Sequence, residues 1–144
     1  MNWKKEAIDK LVCYNARKRA LRTIPNQIKE LRLRRQGIHA ARTDGVAVGG
    51  GTRREDRIIN SIVYEEELRE RLAATKLWVE SVDEALACLD DQERLILDRF
   101  YISPHSGSAD RLCEELAMER SSVYRKKDQA LRRFTMALYG WENS

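Results

Sequence analysis

The 144-residue chain is poor in the side chains that most often carry enzymatic and metal chemistry, with only two His and three Cys. A structural zinc site needs four Cys or His ligands at close spacing. Cys13, Cys88 and Cys113 are scattered and form no Cys-x-x-Cys pair, and the only His residues are His39 and His105, both expected in loops. No metal and no cofactor is therefore expected, and the thiols are expected to be reduced and buried, as in a reducing compartment. The chain also has no nucleophile elbow and no paired His and carboxylate at metalloprotease spacing, so an enzyme is not expected. Glu65, Glu66 and Glu67 are consecutive and point in different directions on a helix, which suits a solvated or Arg-facing surface better than a metal site. No apolar run approaches the ~18 residues of a membrane span. The segment MNWKKEAIDK lacks the apolar core of a signal peptide, so no membrane partner and a cytoplasmic location are expected.

Charge of one sign is not lacking, but it is unevenly placed. The formal net charge of +4 arises from a strongly basic segment to residue 54, an acidic segment over 55–98 and a mildly basic remainder. Such asymmetry speaks to partners and not to fold.

The periodicity is helical throughout. Ala7, Leu11, Tyr14 and Leu21 recur at three- and four-residue steps and predict an amphipathic helix over residues 2–22. Pro25 removes a backbone donor and biases Ile24 away from helix, so a kink or break is expected there. The helix resumes over PNQIKELRLRRQG with Gly37 suited to a stop, and carries a basic face of Lys29, Arg32, Arg34 and Arg35. Residues 1–37 thus form a basic helix or kinked pair. Residues 38–54 hold four glycines without a phosphate-loop pattern, and predict a flexible linker. From 55 to 88 the chain reads as one long helix in which Leu68, Leu72, Thr75, Val79, Val82, Leu86 and Leu89 make a heptad seam. That seam needs a partner helix, which is either the N-terminal helix folding back or a second copy, making the protein a monomer or a homodimer.

Residues 89–144 are the most informative. Asp90 and Asp91 can cap a short helix, DQERLILDRFY, with Leu95, Ile96 and Phe100 on one face. A loop around Pro104 and Gly107 leads to a second short helix, ADRLCEEL, then a turn over Ala117 to Glu119 and a last helix from about Arg120 to Tyr139. Two helices joined by a tight turn, the second strongly basic, is the helix-turn-helix layout, in which the second helix enters the major groove of DNA. Val123, Ala130, Leu131 and Phe134 fall at core-facing spacings, leaving Ser121, Ser122, Arg125 and Lys126 largely outward. The expected fold is all-α, a long helical hairpin or coiled coil followed by this module.

The stretches LDDQERLILDRFY and LCEELAMERSSVYRKKDQALRRF resemble region four of bacterial sigma factors, over roughly residues 89–135. The whole chain is similar to the small phage late-gene regulators of the ArpU/RinA type. This resemblance implies a sequence-specific transcriptional regulator of phage or prophage origin, an activator that binds double-stranded DNA and contacts bacterial RNA polymerase in the host cytoplasm. It places the DNA-binding positions on Arg120, Ser121, Ser122, Tyr124, Arg125, Lys126 and Lys127. Arg125 suits a bidentate guanine contact and Arg120, Lys126 and Lys127 suit phosphate, while Tyr124 suits either DNA or the core. Glu119 stands where the family has a Ser or Thr cap. Residues 15–63 contain no Trp, Tyr or Phe, so the aromatic-rich region with which a complete sigma factor captures melted promoter bases is missing there. Two other readings remain at this point: a small terminase-like DNA-packaging protein, and a polymerase-binding adaptor that does not touch DNA.

Overall fold

The computed structural model describes residues 2–43 and 51–141, and no strand occurs among them. Helix α1 is Trp3–Thr43, α2 is Gly51–Ala87, α3 is Asp91–Leu97, α4 is Ser108–Leu116 and α5 is Arg120–Tyr139. A single π-helical turn, Asp98–Ile102, continues α3. The fold is all-α, as expected. It divides into two compact units, a hairpin unit of Arg19–Lys76 and a terminal unit of Met1–Lys18 with Leu77–Ser144.

In the hairpin unit the chain passes through Pro25 without the expected break at Ile24. Proline in a helix interior forfeits the bond to the carbonyl four residues back and costs about 3 kcal/mol. Ile24 and Ile28 are both buried against Leu68 of α2, with Ala20, Leu31 and Leu72 around them. Two such burials contribute about 1.5–3 kcal/mol each, enough to hold the helix across the proline. Gly37 likewise does not stop α1, which runs on to Thr43 and includes His39, expected in a loop. The expected linker of 38–54 is correspondingly shortened, because residues 38–43 and 51–54 are helical; its centre, 44–50, lies outside the described residues.

The long helix of the sequence reading starts at Gly51 and ends at Ala87, and its seam is buried. Leu68, Thr75, Val79, Val82 and Leu89 are buried, and Leu72 and Leu86 half-buried. Of the two partners left open, α1 is the one that covers it. In the hairpin unit the cover is Ile24 and Ile28. In the terminal unit the Tyr14 hydroxyl donates to the Asp83 carboxylate.

Polar contacts set the register of the hairpin. Glu65 accepts from Arg35 Nη2 at 2.8 Å, from Arg32 Nε at 3.2 Å and from Arg69 Nε at 3.1 Å. The hydrogen bonds of Arg32 and then Arg35 draw the Glu65 carboxyl from its ordinary 4.5 down to about 2. Because the folded value lies below the ordinary one, this contribution is complete above pH 4.5 and is lost as pH falls through about 2. Glu65→Gln should therefore flatten the fall in melting temperature over that window relative to wild type. Parallel melting curves from neutral pH down to pH 2 would remove Glu65 from the acid response.

The three cysteines are free, as expected, but not buried as expected. Cys13 and Cys88 are exposed and Cys113 is half-buried. Cys13 lies off the α1 face that buries Leu11 and Tyr14, and Cys88 sits just past the end of α2.

Candidate nucleic-acid interface

The terminal unit builds its basic helix upon a small core contributed by three helices. Asp90 caps α3 through a reciprocal box: its carboxylate accepts from the Glu93 backbone N–H at 2.8 Å, and Glu93 accepts from the Asp90 N–H at 3.1 Å. The Glu93 N–H bond is the chief reason the Asp90 carboxyl is held below its usual value. Glu93 is almost fully buried and also receives Arg133 of α5, so the cap of α3 is tied to the helix that crosses it. Arg94 Nη1 donates to the Leu89 carbonyl at 2.7 Å and fastens α3 to the end of α2. Ile96, Leu112 and Val123, one residue each from α3, α4 and α5, are fully buried together, with Leu95, Phe100, Leu116 and Met118 packed against them.

The π turn after α3 moves Ser103 N–H onto the Asp98 carbonyl at 2.7 Å. The Asn15 side chain of α1 donates to the Ile102 carbonyl at 3.2 Å and to Ser103 Oγ at 3.1 Å, so α1 holds this bend in place. Ser108 then closes the loop before α4, its hydroxyl donating to the His105 carbonyl and accepting the His105 N–H.

The turn between α4 and α5 aims the last helix. Ala117 adopts a left-handed conformation with φ of 51°. Its N–H bonds Glu114 O at 3.4 Å and the Met118 N–H bonds Cys113 O at 3.1 Å. This pair of bonds, with Met118 and Cys113 both on the core, is a Schellman closure made without glycine. A residue with a Cβ in that conformation costs about 1 kcal/mol. Ala117→Gly should therefore raise stability by about that amount, read by denaturant melts. An unchanged or lowered midpoint would mean that Ala117 is not strained.

Helix α5 buries Val123, Ala130, Leu131 and Phe134, as the spacing required. Its start carries no side-chain cap, because Glu119 occupies the cap position without a capping bond. The first backbone N–H groups of a helix have no partner within the helix, and they are suited to an anion. Arg120 is exposed and 3.7 Å from Asp110. Ser121 and Arg125 are exposed and Ser122 half-buried. Among the described residues Arg125 makes no hydrogen bond or ion pair.

The other three expected contacts are placed differently. Lys126 turns back to donate to the Gln92 side chain. Lys127 lies over the rings of Tyr124 and Phe100, 4.9 and 5.2 Å from their centroids, with 19% of its side chain exposed. Tyr124 meets Phe100 edge-on at 5.5 Å and is itself 37% exposed, so it serves core and surface at once. The structure thus groups Ser121, Ser122 and Arg125 on the outward face, and turns both lysines inward. The same outward stripe continues through the exposed Gln129, which the sequence reading did not single out. Its signal was present: Gln129 is four residues after Arg125, one turn along the same face.

Among the described residues no group of three or more His, Cys, Asp and Glu is placed to hold a metal, and no helix is long and apolar enough to cross a membrane. No family model matches the chain, and neither the curated proteins nor the solved structures contain a match.

Proposed function

We propose that the protein is a sequence-specific regulator of transcription that binds duplex DNA through α5. One observation carries this reading: a helix with an uncapped N-terminus, set on an apolar three-helix core, presents Ser121, Arg125 and Gln129 along one exposed stripe. A major groove admits such a helix, and its base edges match these side chains, guanine to an Arg fork and adenine to a Gln amide. Arg120 and the free N–H groups at the start of α5 take phosphate, which fixes register without reading sequence. Lys127 supports the helix by packing on Tyr124 and Phe100. The resemblance read in the sequence, to sigma region four over roughly residues 89–135 and to the ArpU/RinA-type regulators, points to the finer reading proposed here, a phage or prophage late-gene activator that also touches host polymerase.

Selection of bound duplexes from a random pool tests this reading. A recovered motif a few base pairs wide is the expected result. Retention of duplexes without any motif would favour a packaging protein, and no retention at all, together with capture of polymerase, would favour an adaptor; either contradicts the proposal.

A further inference from the structure

The hairpin unit uses its arginines in two contrasting ways. Arg32, Arg35 and Arg69 converge on the largely buried Glu65, so each has an ionic partner within the unit although three guanidinium groups share one carboxylate. One turn away, between α1 and α2, lie two adjoining hollows of about 410 and 320 Å³ that share Arg34, Ile38 and Arg57, with Arg54 lining the larger. Arg34 and Arg57 are exposed and Arg54 half-buried, and none of the three makes an ion pair among the described residues.

This arrangement has no evident benefit for the hairpin itself. Three guanidinium groups lining one concavity are like charges that repel where they lie within a Debye length, about 8–10 Å at moderate salt. A concave, low-dielectric wall concentrates the positive potential they create. Gly37 lines the larger hollow near the C-terminal end of α1, still within the helix, where glycine costs about 1 kcal/mol relative to alanine. A Cβ added there would meet nothing within 4 Å, so close packing does not require the glycine.

We infer that this hollow is a second nucleic-acid contact, in which Arg34, Arg54 and Arg57 hold the phosphodiester backbone. The inference goes beyond the α5 reading and does not depend on it. The recognition chemistry is that of phosphate: all three cations are Arg, whose planar fork donates two parallel hydrogen bonds to a phosphate. The apolar wall of Leu31 and Ile38 suits a sugar, and Tyr64 at the rim offers an aromatic face. An acidic peptide fits less well. Its backbone N–H and C=O groups would need partners, and the walls here are helices whose backbone groups already bond within themselves.

The test uses the full chain. Binding of a random-sequence duplex is followed by anisotropy over a salt series for wild type and for Arg34→Ala/Arg54→Ala/Arg57→Ala. Each phosphate contact contributes about 0.9 to the slope of log K against log salt, so the variant should lose about 2–3 from the slope and bind at least tenfold more weakly at low salt. Its melting temperature should be no lower, since like charges have been removed. The triple Lys variant should keep most of the slope, because it keeps the charge. An unchanged slope in the Ala variant, or a slope lost equally in the Lys variant, overturns the inference. So does polyglutamate that binds wild type as tightly as the duplex and loses affinity equally in the Ala variant. Arg125→Ala on the selected duplex keeps the two readings separate, because the loss of sequence preference there and the loss of salt slope in the hairpin variant can each occur without the other.

Discussion

Arg125→Ala is expected to weaken binding to the selected duplex by about 1–3 kcal/mol, or 5- to 150-fold, and to weaken binding to random duplex far less. The side chain stands on the outward face of α5 and is exposed, with no internal hydrogen bond or ion pair among the described residues. Removing it therefore breaks nothing inside the protein, and the melting temperature should stay within that of an ordinary surface change, about ±0.5 kcal/mol. Lys126→Ala is the informative contrast. That lysine is bonded to Gln92 of α3, so its loss should register in stability and equally on both duplexes. Equal loss on specific and random duplexes for Arg125→Ala would remove it from base recognition and leave it a phosphate contact.

Leu112→Ala is expected to destabilise the terminal unit by about 2–5 kcal/mol, against the roughly 5–15 kcal/mol that holds an entire domain. Leu112 is fully buried between Ile96 of α3 and Val123 of α5, so truncation opens a cavity where all three helices meet. Duplex binding should fall with it although Leu112 is buried and cannot reach DNA, because this core, together with the Ala117 turn and the bonds of Lys126 and Arg133 to Gln92 and Glu93, positions α5. Leu77→Ala supplies the control. Leu77 belongs to the same unit but is 69% exposed, and its truncation should change little. Thermal melts of the two variants check this pair, and a similar small effect for both would mean that the three-helix core does not determine the position of α5.

The parts of the fold that were legible in the sequence are those decided by local chemistry. The burial of Val123, Ala130, Leu131 and Phe134 followed from a 3.6-residue period alone. The cap at Asp90 followed from an acidic residue ahead of an apolar run, whereas the reciprocal bond from Glu93, three positions on, was legible but not singled out. Pro25 and Gly37 were both misleading. Both carry a local penalty of about 1–3 kcal/mol; at Pro25 the opposing term, which the sequence does not display, is Ile24 and Ile28 packing on Leu68 some 40 residues later, while the penalty at Gly37 is small enough for α1 to run on to Thr43. The free thiols were read correctly, but their exposure was not, because it depends on which face of each helix the tertiary packing covers.

The candidate interface was legible to a similar depth. Arg125 and the two serines fall on the outward face by spacing. Lys126 and Lys127 look equivalent to Arg125 in a list of cations, yet they sit beside the core stripe, where Gln92 and the Phe100 and Tyr124 rings capture them. A charge count therefore overstates the free positive surface of α5. In the hairpin the same distinction separates Arg32 and Arg35, answered by Glu65, from Arg34, which faces an open hollow.

The most direct test of the central claim is the affinity of the full-length wild-type chain for duplex DNA measured across a salt series, on the selected sequence and on a random one. The account predicts that log K falls linearly with log salt on both, as phosphate contacts require, with the selected duplex bound about 10³-fold or more tightly, at the low end for specific recognition. Absence of salt-dependent duplex binding, or equal affinity for the two duplexes at every salt concentration, would contradict it.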